Sequence, residues 1–429
     1  MSEYSPEPCL TLPWREPADA FAALQDSAFA LLLHGGDSAS RLYAFPSVTL
    51  DEDVPAGGFD RLAATLLARL TQGEQVAGLL GYEFAAALED LDQPRAADWR
   101  SVSLGAYPAW AVFPADRHAI EVYGVPGAAR RLADALSGTD RADPRAVSGA
   151  RWQARRTRPD YLAACDRILA HIRAGDIYQA NLSQGFDVAL GHDDDPWQAF
   201  TRLIERSRAS HGGYFRLDED RAILTNSPET FLTLSGGVLE CCPIKGTRPR
   251  GTSAATDQAL ADDLRASEKD RAENLMIVDL MRHDLSRVCT PGSVAVPEFA
   301  ALQSFANVHH LVSTVRGTLR PGLDALDVLA ATFPAGSITG APKIRAMEII
   351  AQEEGEARGP YCGAMGWIGE GGAAMDFNVM IRTAALTRPS GSWQGAIRSG
   401  GAITIGSDPA AEFDETLAKM SALRGVFAE

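Results

Sequence analysis

Three local patterns in this chain combine residue types that could do chemistry. Asp270 and Glu273 lie three apart in SEKDRAENLMIVDLMRHDLSRV, and Glu412 and Glu415 repeat the spacing in SDPAAEFDETLAKM. On a helix, that spacing puts both acids of a pair on one face. Two such helices could cage a hard divalent cation, with waters and substrate oxygens completing the shell. The spacing equally suits acids on solvated faces, paired with Lys269, Arg271 and Lys419. In FPAGSITGAPKIRAMEII, glycine and hydroxyl residues precede a proline-started helix whose free N–H groups and dipole suit a carboxylate. A plain capped helix start would read the same. Lys245, in CCPIKGTRPRG, follows an apolar strand-like stretch and precedes a glycine. Held between a strand end and a turn, a lysine can lose hydration and become nucleophilic. Most lysines, however, simply stand on the surface.

The elements that must position these residues can be read from periodicity. Phe29 to His34 and Trp110 to Phe113 read as strands, and Phe59 to Leu70 as a helix. A helix opening at Pro159 puts Leu162, Cys165, Ile168, Leu169 and Ile172 on one face and closes at Gly175. Tyr214 to Leu217 and Ala222 to Leu224 read as strands, and Asp257 to Val288 as one long helix. The last helix begins at Asp408-Pro409, with the aspartate as N-cap. Gly369-Glu370-Gly371-Gly372-Ala373-Ala374 fits a loose dinucleotide fingerprint, but a strand-like alternation follows where a helix should open. That segment reads as a turn between strands. No GxxxxGK[ST], HExxH or GxSxG occurs.

The 429 residues are 46% hydrophobic and 22% charged, enough apolar material for one large core or two. Strands and helices come in clusters, so the class is α+β. A Gly/Ser/Asp/Arg/Pro-rich stretch near 136–158 marks a boundary or exposed connection between an N-terminal region, 1–150, and a catalytic region, 159–429, interleaved in one unit. A net charge of −16 disfavours nucleic-acid binding, so an anionic ligand would need a locally positive site. The six cysteines show no CxxC or metal spacing, as expected of reduced thiols. The acidic, proline-containing N-terminus does not read as a signal peptide, and no apolar run approaches the roughly 18 residues of a membrane span. The expectation is a cytoplasmic protein.

From about Tyr161 onward the chain carries, in order, GDIYQANLSQGF, NSPETF, PIKGTRPRG, KDRAENLMIVDLMRHDLSRV, VHHLVSTVRG, FPAGSITGAPKIRAMEI, GPYCGAMGW, DFNVMIRT and SDPAAEFDETLAKM. This ordered series resembles the chorismate-utilising enzymes. Earlier in the chain, LPWRE, ALLLHGG and GLLGYEFAAALED resemble component I of the aminodeoxychorismate synthases. The resemblance implies large antiparallel β-sheets packed face to face with helices outside, and a site between them for chorismate and Mg2+. It implies Glu273 and Glu415 as direct metal ligands, with Asp270 and Glu412 as outer or water-mediated partners. Gly246, Thr247, Tyr361, Arg382, Gly400 and Gly401 fall where the family contacts substrate, and His310 where a histidine approaches the ring carboxylate. Ser337 and Thr339 match the hydroxyl-bearing turn, and Glu229 the general acid.

Three positions sort the branches. Hydroxylating relatives carry a water-activating lysine where this chain has Gln179. Anthranilate synthases usually carry alanine where Lys245 stands, and a Pro-Tyr-Met element that helps hold feedback tryptophan where this chain reads His211-Gly212-Gly213-Tyr214-Phe215. The branch so implied aminates chorismate at C4, with Lys245 as covalent nucleophile and ammonia supplied by a separate glutamine amidotransferase subunit. The family's glycine-rich strand departs from its usual Gly-x-Gly-Ile at Ser399-Gly400-Gly401-Ala402. Anthranilate synthase component I and a catalytically silent chorismate-binding subunit are the alternatives.

Overall fold

In the computed structural model, residues 7–138, 151–192, 194–207, 209–305, 308–389 and 391–427 are described. Gln179–Ala189 and Val308–Thr318 are buried along most of their length, on both faces. Strands of this kind must be covered from two sides. Each lies within one of two large sheets, of twelve and ten strands among the described residues.

The first sheet runs Leu10–Leu12, Ile120–Gly124, Ala109–Phe113, Ser40–Tyr43, Ala30–His34, His211–Arg216, Arg221–Ser227, Thr383–Thr387, Gln394–Ile403, Gln179–Ala189, Gly340–Ala341. The second runs Ile244–Pro249, Val308–Thr318, Val238–Cys241, Thr230–Ser235, Ala374–Val379, Ala364–Gly369, Gln75–Leu80, Val102–Tyr107, Val48–Glu52. Strands from both sides of 136–158 pair directly: Ala30–His34 with His211–Arg216, and Gln75–Leu80 with Ala364–Gly369, both antiparallel. Most of that connecting stretch, 139–150, lies outside the described residues.

The sheets face each other through Leu31, Tyr43, Trp110, Phe215 and Ile223 on one side and Ala77, Leu79, Tyr107 and Met365 on the other. Each fully buried large side chain of this kind contributes roughly 1.5–3 kcal/mol, so this layer is what holds the sheets together. The outer face of the second sheet is covered by helices Phe59–Leu70, Glu268–Ser286 and Ala325–Thr332. Helices Pro126–Leu136, Pro196–Arg206 and Ser421–Phe427 cover the first. The architecture is the expected pair of antiparallel sheets with helices outside.

Helix Arg158–Ala174 is capped by the Thr157 side chain and stopped by Gly175 at φ +82°. Helix Pro409–Lys419 starts at Asp408, whose carboxylate accepts the Ala411 N–H. The segment expected as one helix over Asp257 to Val288 is two, Ala254–Ala266 and Glu268–Ser286. Ser267, at φ −67° and ψ 104°, ends the first and caps the second by accepting from Asp270 N. Hydrophobic periodicity runs through such a break because both helices cover the same sheet. The break puts Asp270 and Glu273 in the opening turns of the second helix, where the dipole favours carboxylates. Glu370–Gly372 forms a short turn between strands, as expected. No helix among the described residues is long and apolar enough to cross a membrane.

Candidate active site

Lys245 lies inside the strand Ile244–Pro249, not between a strand end and a turn. It stands at a bulge: Lys245 pairs with Leu311 and Thr247 with His310, leaving Gly246 as the extra residue at φ +78°. A Cβ on Gly246 would come within 2.9 Å of a Leu264 methyl and 3.0 Å of Asp270 Cβ, so backbone shape and space both require glycine. The lysine Nζ donates to the Ser337 carbonyl at 3.2 Å. Across the bulge, Thr247 Oγ1 lies 2.9 Å from His310 Nδ1.

Glu229 and Arg382 occupy two of the places where the chain crosses between the sheets. Glu229 separates strand Arg221–Ser227 of the first sheet from Thr230–Ser235 of the second, and Arg382 precedes Thr383–Thr387 after the chain leaves Ala374–Val379. The Asn226 N–H donates to Arg382 O at 3.1 Å and the Val379 N–H to Glu229 O at 3.0 Å, tying the crossings to each other. Arg382 is held at φ +52°.

Burial drives all four ionisable groups here toward neutrality. It pushes the Lys245 amine below the ordinary lysine range, with Glu229 as the strongest opposing charge. It raises the Glu229 carboxyl, against Lys245 and a hydrogen bond from Ser337. Burial also depresses Arg382, which feels only Glu229 in compensation. His310 is pushed down to about 4, by burial first and then by Arg382, so its ring is neutral near pH 7. A partly desolvated amine beside a carboxyl that can hold a proton suits nucleophilic attack with general-acid assistance.

Lys269 links the acids of the two helices. Lys269 Nζ lies 3.9 Å from Glu273 Oε1 on its own helix and 3.8 Å from Glu412 Oε1 on the other. Lys419 Nζ pairs with Glu415 at 2.7 Å and donates to Gly400 O at 3.0 Å. Burial raises the Glu273 and Glu412 carboxyls. At Glu415 burial is outweighed by Lys419, and the carboxyl is lowered. Asp270 turns elsewhere, to Arg248 at 3.3 Å.

Among the described residues no three His, Cys, Asp or Glu side chains are arranged to hold a metal ion alone. The facing carboxylates, with an ammonium already between Glu273 and Glu412, fit a hard cation that takes its remaining ligands from substrate and water. Gly401 leaves the adjoining space open: a Cβ there would sit 3.1 Å from Glu412 Oε2 and 3.9 Å from Glu415 Oε1. One at Gly400 would meet Leu182 O at 2.6 Å.

The Ser337 turn is built from within. The Thr339 hydroxyl is buried and donates to Ala335 O and Gly336 O, so it shapes the turn. Ile338 O accepts from Asn181 Nδ2 at 3.1 Å and Arg358 Nη1 at 3.0 Å. The expected proline-started helix begins at Lys343 with Pro342 as its N-cap, after the two-residue strand Gly340–Ala341. Tyr361 lines a cleft of about 1060 Å³ with Trp99, Trp152, Arg155, Arg358 and Arg398, and neither Lys245, Glu229 nor Glu273 is in that lining. Gln179 is buried with its amide unpartnered by any described protein group.

Sequence reasoning offered Lys269 and Lys419 as counter-charges to these acids, and the structure pairs both exposed lysines so, with Lys269 also reaching Glu412 on the other helix. Their signal was the i, i+4 spacing from Lys269 to Glu273 and from Glu415 to Lys419.

Comparison with known proteins fits this geometry. The family of chorismate binding enzymes matches residues 29–425. Aminodeoxychorismate synthase component 1 of Salmonella typhimurium is 36% identical over 96% of this chain and 96% of its own length. Anthranilate synthase component 1 of Streptomyces coelicolor is 41% identical over 63% of this chain and 52% of its own. Among solved structures, anthranilate synthase component I from Streptococcus pneumoniae superposes with a TM-score of 0.79 at 26% identity, covering 90% of this chain and 92% of that one. The menaquinone-specific isochorismate synthase of Escherichia coli, at 16% identity and TM-score 0.78 over 97% and 93% of the two chains, shares the fold.

Proposed function

The chain belongs to the chorismate-binding enzymes, and from that premise we propose that it replaces the C4 hydroxyl of chorismate with an amino group, giving 4-amino-4-deoxychorismate for 4-aminobenzoate and folate synthesis. The observation that carries this reading is that Lys245 and Glu229 meet at one buried turn, the lysine amine donating to Ser337 O and the Glu229 carboxyl bonded by Ser337, with burial displacing each toward its neutral form.

Neutral Lys245 attacks C2 of the ring, the diene shifts, and the C4 hydroxyl departs as water with a proton from Glu229. Ammonia then adds at C4, the double bonds shift back, and Lys245 leaves as a neutral amine. Glu229 takes the surplus proton from the new C–N centre, so protons balance over the cycle. Ser337 serves both groups, its carbonyl accepting from Lys245 and its hydroxyl bonding Glu229. Arg382 and Thr247 would hold the substrate's carboxylates, and neutral His310 would donate a hydrogen bond. Glu273 and Glu415, supported by Glu412, would hold Mg2+, which when bound supplies a Lewis acid for the ring carboxylate, whereas the expected supporting role of Asp270 is not kept because it pairs with Arg248. Each removed charge weakens a hard oxygen shell, so Glu273→Gln or Glu415→Gln should abolish turnover at limiting Mg2+ without unfolding the chain.

No cysteine has a glutaminase setting: Cys165, Cys241, Cys289 and Cys362 are buried with thiols pushed up by burial, Cys242 sits beside Glu240, and Cys9 donates to Gly124 O. Ammonia therefore comes from a separate amidotransferase, as the name component 1 of the relatives suggests. The test is to incubate the purified chain with chorismate, Mg2+ and ammonium, add a lyase, and identify the product by mass and fluorescence. 4-Aminobenzoate is expected, with no product from glutamine until the partner is added. Anthranilate would assign the chain to the sister branch, and absence of any turnover would leave a binding subunit.

A further inference from the structure

One carboxylate outside the reacting centre ties together the strands that carry Lys245 and His310. Asp257 lies in the first turn of helix Ala254–Ala266, which Ser253 already caps through Thr256 N, so the helix start does not need it. Its Oδ1 accepts from Arg250 Nε at 2.7 Å and Gly251 N at 2.8 Å, and its Oδ2 from Arg250 Nη2 at 2.6 Å. Buried His309 places Nε2 3.0 Å from the same Oδ1, and its Nδ1 lies 2.7 Å from Ser304 Oγ. An ionised carboxylate only accepts, so His309 donates to it through Nε2. Arg250 Nη1 reaches on to Phe305 O at 2.7 Å. Asp257, on the helix, thus binds the end of the lysine strand and the arm Val308–Thr318 directly, and reaches the arm Ala295–Ser304 through His309.

The bulge at Gly246 makes that convergence matter. Beyond it only Thr247, Arg248 and Pro249 pair with Val308–Thr318, and the proline has no N–H to donate. A short paired end holds its register weakly, and a slip of one residue turns every side chain to the other face. We propose that Asp257, acting through Arg250 and His309, is a positioning residue that locks the bulge at Gly246 and so keeps Lys245, Thr247 and His310 in their working register. The proposal rests on the reading of those three residues as functional.

Asp257→Ala and Asp257→Asn in the full chain test it. Turnover is followed as chorismate consumption with ammonium and Mg2+, and amide hydrogen exchange is mapped by mass spectrometry. For Asp257→Ala we expect kcat to fall at least tenfold, with faster exchange confined to peptides spanning 244–251 and 304–312. Asp257→Asn, whose amide oxygen still accepts from Gly251 and His309, should recover part of both. Wild-type kcat, unchanged local exchange, or exchange that rises uniformly across the chain would each overturn the proposal; the last would make Asp257 a general stabiliser. A wrong reaction would instead show in the product made by the wild-type chain, whatever the variants do.

Discussion

Two groups of buried charges lie close together in this molecule and are treated in opposite ways. Beneath the Ser337 turn, Glu354 is 6% exposed and accepts from Ser183 N and Oγ, from Arg358 and from Arg398. Arg358 gives its remaining donors to Ile338 O and Asn181 O, and its guanidinium lies 4.7 Å from the Tyr82 ring. Although burial opposes both charges, the Glu354 carboxyl is held low and Arg358 high, each by the other. In the candidate active site the reverse holds. Lys245, Glu229, His310 and Arg382 have too few partners to offset burial, and all four shift toward neutral. Satisfied buried charges fix geometry; the unsatisfied lysine, glutamate and histidine remain free to exchange protons, and Arg382, which keeps its proton, to meet an anionic ligand.

If that contrast holds, substitutions should separate by what they damage. The largest effect belongs to the reacting pair. Lys245→Ala and Glu229→Gln should each slow ammonia-dependent turnover by on the order of 10²-fold or more, with melting temperature unchanged or raised because an unfavourably buried group is gone. A Lys245→Ala enzyme at full rate would make that lysine a bystander. In the network the pattern should invert: Glu354→Gln leaves two arginines buried without their counter-charge and should lower unfolding free energy by about 3–5 kcal/mol in urea titrations. A loss under 1 kcal/mol would mean that Glu356, 2.7 Å from Arg398, compensates.

Glu83 sits between the two cases. Its carboxyl accepts from Arg358 N and Gly359 N, yet burial wins and raises it to about 7. The folded chain favours the protonated form, so this contribution is full below the ordinary carboxyl range and is lost as pH climbs from about 4.5 to about 7. The loss is roughly 2–3 kcal/mol. Comparing stability at pH 5 and pH 8 should show that slope in the wild type and a flatter one in Glu83→Gln. Equal slopes would remove Glu83 from the account. The smallest effect is expected at Gly401→Ala, whose new methyl meets only the movable end of Glu412. A rise of a few fold in the Mg2+ needed for half-maximal rate, about 1 kcal/mol or less, is the outcome to measure. Gly400→Ala should be worse, because its obstacle is the Leu182 backbone.

What the sequence determined by itself was local. Helix Phe59–Leu70, the strands near Ala30 and Trp110, the Asp408 cap and the Gly175 stop all follow from periodicity and capping, which depend on neighbours in the chain. The ordered motifs carried the family, and with it the expected site residues, because each motif is a short contiguous string. Only the tertiary structure decided what depends on contacts distant in sequence. It split the long helix at Ser267, placed Lys245 on a bulge rather than at a strand end, and turned Asp270 toward Arg248. It also brought Lys269 across to Glu412, although more than a hundred residues separate them. Burial drove Lys245 and Glu229 toward neutrality, and no one-dimensional pattern records desolvation, because it is set by everything that packs around a group once two sheets and their helices have closed over it.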